Sequence, residues 1–223
     1  ETLYGPHAAP PTLREVTMRV AVRHPKKEAL ELFAREKSAP GTSWSPGSTG
    51  PGGGRPGVSP LIVPCAFLVP RDAVQPVVRL GELAIAVPFD APPLAATPVL
   101  LPDPAAWAMP AGATRSVPLV ALAWGRSGDK GDLSNIGLIA RRPEWLPLLW
   151  AQVTPEAVKA WFAHLVKGRV ERFHLPGLQA MNLVLHQALE GGGPASLRLD
   201  PLGKGMAQML LELPIEVPAD WPV

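Results

Sequence analysis

Leu119-Val-Ala-Leu-Ala-Trp124, then Gly-Arg-Ser-Gly-Asp-Lys-Gly-Asp-Leu-Ser134, then Asn135-Ile-Gly-Leu-Ile-Ala140: two short apolar runs enclose a stretch crowded with glycine and charge. Apolar runs this short bounded by turn residues are strands, so the pattern predicts two paired strands with a polar connection. Working outward, Pro143 to Gln152 and Thr154 to Lys167 read as helices. Thr154 offers a hydroxyl N-cap before Pro155, and Val158, Trp161, Phe162 and Leu165 make one apolar face. Val170 to Leu175 reads as a strand. Leu178 to Leu189 is ambiguous between helix and strand, with Met181, Val184, Leu185 and Ala188 at helical spacing favouring helix, and Gly191-Gly-Gly193 ends it. Ser196 to Asp200 and Leu211 to Val217 are short strand candidates on either side of Gly203-Lys-Gly205. This order predicts an α+β domain with helices on one face of an antiparallel sheet.

The first half is built differently. Val16, Met18, Val20 and Val22 alternate with polar or small residues, which predicts a half-buried strand from Leu13 to Arg23. Pro25 opens a helix to Lys37 with Ala29, Leu30, Phe33 and Ala34 on one side. From Pro40 to Pro60 the density of Pro, Gly and Ser excludes helix and strand. That segment reads either as a loop or as a backbone surface beside a ligand, with Arg55 supplying charge and Trp44 needing a packing site. It lacks the Lys-Ser/Thr ending of a phosphate-binding P-loop. Leu61 to Val69 and Val77 to Val87 are strand candidates, and Cys65 inside the first is expected to be a buried thiol. Pro88 to Val117 is rich in Pro and Ala and reads as a connector between two domains.

Composition narrows the function. Lys and Arg total 21 against 19 Asp and Glu, a net charge of +2, which argues against a basic nucleic-acid platform. Pro 29 and Gly 21 together are about twice the usual share of about 12%, which fits short, sharply punctuated elements. The single cysteine excludes an intrachain disulfide and a cysteine zinc cluster, and no His pair has ligand spacing, so neither metal nor cofactor is expected. No apolar run reaches the length of a membrane span, and a cytoplasmic location is expected.

Chemistry concentrates between Arg126 and Asn135. Gly128 and Gly131 allow tight backbone geometry and expose N–H groups. Arg126 and Lys130, with Ser127 and Asn135, suit an anion. Asp129 or Asp132 could accept a proton beside Lys130, whose charge keeps a carboxylate ionised. Lys204, between Gly203 and Gly205, could supply a further cation. From spacing alone, a solvated hairpin with local ion pairs is the alternative. Ser127 has no histidine in its motif, so a hydrolase triad is not supported.

Arg126-Ser-Gly-Asp-Lys-Gly-Asp132 with Asn135-Ile-Gly-Leu-Ile-Ala140 resembles the signature of the acyclic terpene utilisation (AtuA-like) family. The likeness continues at Leu175-Pro-Gly-Leu-Gln-Ala-Met-Asn-Leu-Val-Leu185, Ala188-Leu-Glu-Gly-Gly-Gly193 and Ser196-Leu-Arg-Leu-Asp200 with Gly203-Lys204. The resemblance implies a ferredoxin-like domain over residues 118–223, a linker over 88–117, and the closing part of a larger N-terminal domain over 1–87. It places the chain in terpenoid or branched acyl-CoA catabolism. The residues then suit a lyase or hydratase acting on a carboxylate or acyl-CoA, with Asp129, Lys130 and Asp132 catalytic. Arg126, Ser127, Gly128, Gly131, Asn135 and Lys204 would bind substrate. A non-catalytic assembly module of a larger enzyme is the alternative. The expected partners are a small anionic metabolite or acyl-CoA and either a second copy of the chain or the rest of the N-terminal domain, with no nucleic acid and no membrane.

Overall fold

Strands β4 (Ala123–Lys130) and β5 (Leu133–Ala140) pair antiparallel in unbroken register, from Ala123 opposite Ala140 to Lys130 opposite Leu133. Only Gly131 and Asp132 are left for the turn. Gly131 has φ +68°, the positive value that the first position of a tight type II′ hairpin demands and glycine supplies. The chemistry-bearing residues therefore lie on strands rather than in a loop. A backbone ladder is indifferent to side-chain polarity on an open face, so charge does not end these strands where apolar content does. Leu119–Ala121, expected as strand, is a short 3-10 turn.

The computed structural model describes residues 3–8, 14–37, 39–43, 46–49, 54–65, 67–88 and 101–222. Within them, β6 (Val170–Leu175) and β7 (Ala180–Leu185) form a second hairpin, and β7 pairs with β5. The four-stranded sheet has the order β4-β5-β7-β6, antiparallel throughout. The helix expected over Leu178–Leu189 is thus a strand. Met181, Leu183 and Leu185 alternate toward the core with Asn182 and Val184 between them, and that period of two prevails over the coincidental helical spacing. Gln179, at φ +50°, makes the turn from the preceding 3-10 segment.

One sheet face is closed. Ile136, Leu138, Met181, Leu183 and Leu185 are buried in one cluster with residues of α2 (Leu146–Gln152), α3 (Pro155–Trp161) and α4 (Met206–Leu210). Full burial of such side chains stabilises by about 1.5–3 kcal/mol each, which gives the layer its cohesion. The Thr154 hydroxyl accepts the Ala157 N–H at 3.1 Å, the cap that starts α3. The half-buried Arg172 guanidinium donates to the carbonyls of Trp150 and Val153 at the end of α2, and desolvation lowers its pKa. A separate ribbon of β3 (Thr114–Pro118) and β8 (Pro214–Pro218) adds Val117, Ile215 and Val217 to the core. The expected strand at Ser196–Asp200 is irregular instead, with a bend at Arg198 and Leu199. The layering is the α+β arrangement of a ferredoxin-like domain, with its helices on one face of the antiparallel sheet.

The opposite face is open. Trp124, Ile139 and Phe173 are 52%, 43% and 49% exposed. In the first half, α1 (Lys27–Glu36) forms as expected, and β1 (Val77–Leu80) and β2 (Leu83–Ala86) make a small hairpin. Val16, Met18, Val20 and Val22 are exposed and outside any strand, since alternation makes a strand only where a neighbour completes its ladder. No strand forms among the described residues of 61–69, and Cys65 is exposed rather than buried. Leu13, Trp44 and residues 89–100 of the expected connector lie outside the described residues. Among the described residues no helix is long and apolar enough to cross a membrane.

On the edge strand β6, Glu171 contacts His186 and pairs with Arg169 at 3.3 Å. The hydrogen bond from His186, aided by Arg169, lowers its pKa from 4.5 against an opposing effect of burial. A carboxyl depressed on folding contributes stability that is complete above its unfolded pKa and is lost as pH falls through the folded value. The stability difference between the wild type and Glu171→Gln is therefore constant near neutrality. It shrinks on acidification once pH falls below the ordinary carboxyl value of 4.5. Denaturant titrations on either side of that value measure it, and a difference independent of pH would remove the linkage.

Candidate functional site

Strand alternation sorts the residues around the first hairpin. On β4, Ser127 points into the core side, where its hydroxyl accepts the Ala207 N–H at 2.9 Å and donates to the Lys204 carbonyl at 3.2 Å. Those two bonds fasten the start of α4 and the 203–205 turn to the sheet, so Ser127 is a positioning group. Arg126, Gly128 and Lys130 point to the open face, on the edge strand of the sheet.

Lys204 completes a row. Its Nζ lies 3.1 Å from where a Cβ on Gly128 would stand, so the absence of a side chain at 128 lets the ammonium lie across the strand. Arg126 and Lys130 are four residues apart on one strand, roughly 13 Å at the usual rise, with Lys204 between them. Among the described residues the Arg126 guanidinium has no hydrogen-bond or ion-pair partner. Lys130 donates to the Asp129 carbonyl at 2.9 Å and to Asn135 Oδ1 at 3.5 Å. Asn135 in turn donates to Asn182 Oδ1 at 3.3 Å. Asn182 falls within the segment Leu178–Leu189, whose sequence fits helix and strand alike, and the strand pairing of β7 with β5 brings it beside Asn135.

The two aspartates part company. Asp129 Oδ1 stands 3.4 Å from Lys204 Nζ. An ion pair this exposed contributes at most about 1 kcal/mol, so an incoming anion can displace it. Asp132 turns away from the row. Its Oδ1 accepts the N–H groups of Leu189 at 3.1 Å and Gly191 at 2.9 Å, and its carbonyl accepts the Ala188 N–H. Asp132 is a structural acceptor for the 188–192 turn. Arg198 stitches the same turn through the carbonyls of Ala188 and Leu165, with Glu190 at 3.9 Å, and burial lowers its pKa. Asp200 plays the matching part for Lys204, accepting its N–H and that of Gly205 at 2.8 Å each.

Lys204 thus meets the Asp129 carboxylate at the edge of the sheet, and Arg126 and Lys130 lie on the open face with two carboxamides beside them on the neighbouring strands. Gly137, the partner of Arg126, adds no side chain above the sheet. The arrangement has the chemistry of an anion cradle. Residues 117–216 match the family of the AtuA ferredoxin-like domain. That segment belongs to this family. Neither the curated proteins nor the solved structures provide a match to the chain. The AtuA ferredoxin-like domain spans from within β3 to within β8, so it contains the whole four-stranded sheet, Lys204 and every residue of the cationic row.

Proposed function

We propose that the open face of this domain binds an anionic metabolite, a carboxylate or an acyl-CoA, along the row Arg126, Lys204 and Lys130, in terpenoid or branched acyl-CoA catabolism. The observation that carries the reading is the unpartnered Arg126 aligned with Lys204, which lies over Gly128. Asn135 and Asn182 supply amide groups beside the row. Asp129 is the one carboxylate within it, and its exchange of a proton with the carbon next to an acyl carbonyl is the step a lyase or hydratase of such a substrate needs.

The reading is tested by calorimetric titration with acetyl-CoA. Arg126→Met and Lys204→Met each weaken binding by about 1.5–3 kcal/mol, the scale of a charge-assisted hydrogen bond, while Lys167→Met outside the row changes nothing. Lys159 is no neutral control, because its Nζ donates to the carbonyls of Val166 and Gly168. Proton exchange at the acetyl methyl group in deuterated water, lost in Asp129→Asn, reports the catalytic step. Equal affinities in all variants would leave the cations as protection of an exposed sheet edge.

A further inference from the structure

The proline- and glycine-rich segment after α1 takes no part in the cationic row, yet its last residues wall a cavity of about 610 Å³. The other walls come from Val22 to Lys27, from Leu30 of α1, and from Pro194 and Leu197 of the C-terminal domain. Arg19 donates to the Leu197 carbonyl at 2.7 Å and ties the two sides together. The volume is within the range of about 300–1,000 Å³ usual for small-molecule sites.

Its charge is one-sided. Among the described residues Arg23, His24 and Lys27 line it, and no carboxylate does. Arg23 has no partner among the described residues. His24 engages the Lys26 backbone N–H through Nδ1 at 3.0 Å, which leaves Nε2. Lys27 shares its charge with Glu31 at 3.2 Å, on the surface of α1. A second cavity of about 180 Å³ shares Val22, Leu30, Val58 and Ser59 with the first. It continues between Val20, Phe33 and Ala34 with no charged residue in its walls. Leu30, Phe33 and Ala34 are the apolar side of α1 at helical spacing.

A basic mouth leading into an uncharged apolar extension selects an amphipathic anion. We propose that this groove binds a medium-chain alkyl carboxylate, its head held by Arg23, His24 and Lys27 and its chain lying along Val20, Leu30 and Phe33. The site is separate from the row on the sheet and does not depend on it.

Calorimetric titration of the full chain with decanoate tests this, with butyrate and decanol as controls. Decanoate binds saturably, and butyrate binds at least about tenfold more weakly because it lacks the methylenes that the apolar extension removes from water. Decanol, without the charge, shows the same order of loss. Arg23→Gln weakens decanoate binding by about tenfold, the fold-change of one lost charge-assisted contact. Phe33→Ala narrows the preference for decanoate over butyrate, and saturable decanoate binding with that preference persists in Arg126→Met, in which carboxylate binding at the row is lost. Both wall variants sit at exposed positions, and circular dichroism verifies their folding. The proposal is overturned if decanoate fails to saturate, if Arg23→Gln with Lys27→Gln leaves its affinity unaltered, or if Arg126→Met removes binding. Acetyl-CoA binding to the sheet is measured independently, so failure here and failure of the anion cradle are distinguishable.

Discussion

Gly192→Ala lowers the stability of the domain by about 3 kcal/mol or more, from backbone overlap and from a positive φ forced on a residue with a Cβ. A Cβ on Gly192 would stand 2.0 Å from the Gly131 carbonyl oxygen and 2.6 Å from its carbon. Neither atom belongs to a flexible side chain, so relief must come from moving the hairpin turn or the 188–192 turn. Gly192 also has φ +72° with ψ 160°, a region essentially confined to glycine. The contact holds the tip of the β4–β5 hairpin, so its loss also loosens the strand that carries Arg126 and Lys130. Chemical denaturation of Gly192→Ala beside Gly177→Ala measures the effect. No atom lies within 4 Å of a Cβ at 177, and that variant stays within about 1 kcal/mol of wild type. Equal stability of the two variants would contradict the packing of turn against turn.

Asp132→Ala costs about 2–4 kcal/mol of stability, since two backbone N–H groups lose a charged acceptor worth about 1.5–3 kcal/mol each and partly recover with water. The carboxylate works entirely on the 188–192 turn through Leu189 and Gly191. Below its melting transition the folded variant retains acetyl-CoA affinity, because Asp132 is not in the row. Asp132→Asn keeps an oxygen at Oδ1 and loses less. Asp129→Asn shows the opposite pattern: little change in stability, since its ion pair with Lys204 is exposed, and loss of proton exchange. If Asp132→Ala abolished binding or exchange at unchanged stability, its carboxylate would be a working group of the site and the division of labour between the two aspartates would fail.

Much of the architecture is written in local pattern. Thr154 before Pro155 specifies the start of α3, Val170–Leu175 reads as the strand it forms, and Gly131 specifies a turn that only a residue free of a Cβ makes without strain. The stretch Arg126–Asn135 marks the candidate site at the level of a segment, and Lys204 is legible as a cation set between two glycines. Pairing was not legible. Leu178–Leu189 satisfies helical spacing and strand alternation alike, and its strand identity comes from ladders with β5 and β6 that lie far off in sequence. Val16 to Val22 alternate as a strand should and find no neighbour, so the same local signal yields no ladder there. Only tertiary structure could tell Asp129 from Asp132. They lie three residues apart, one beside the ammonium of Lys204 and the other under the N–H groups of Leu189 and Gly191. Asn182 likewise joins the site across a strand pair. The physical reason is common to all four. Composition and spacing encode what a residue prefers within a turn or two of its own chain, whereas partners for hydrogen bonds and charges are assigned by which distant segments the core brings together.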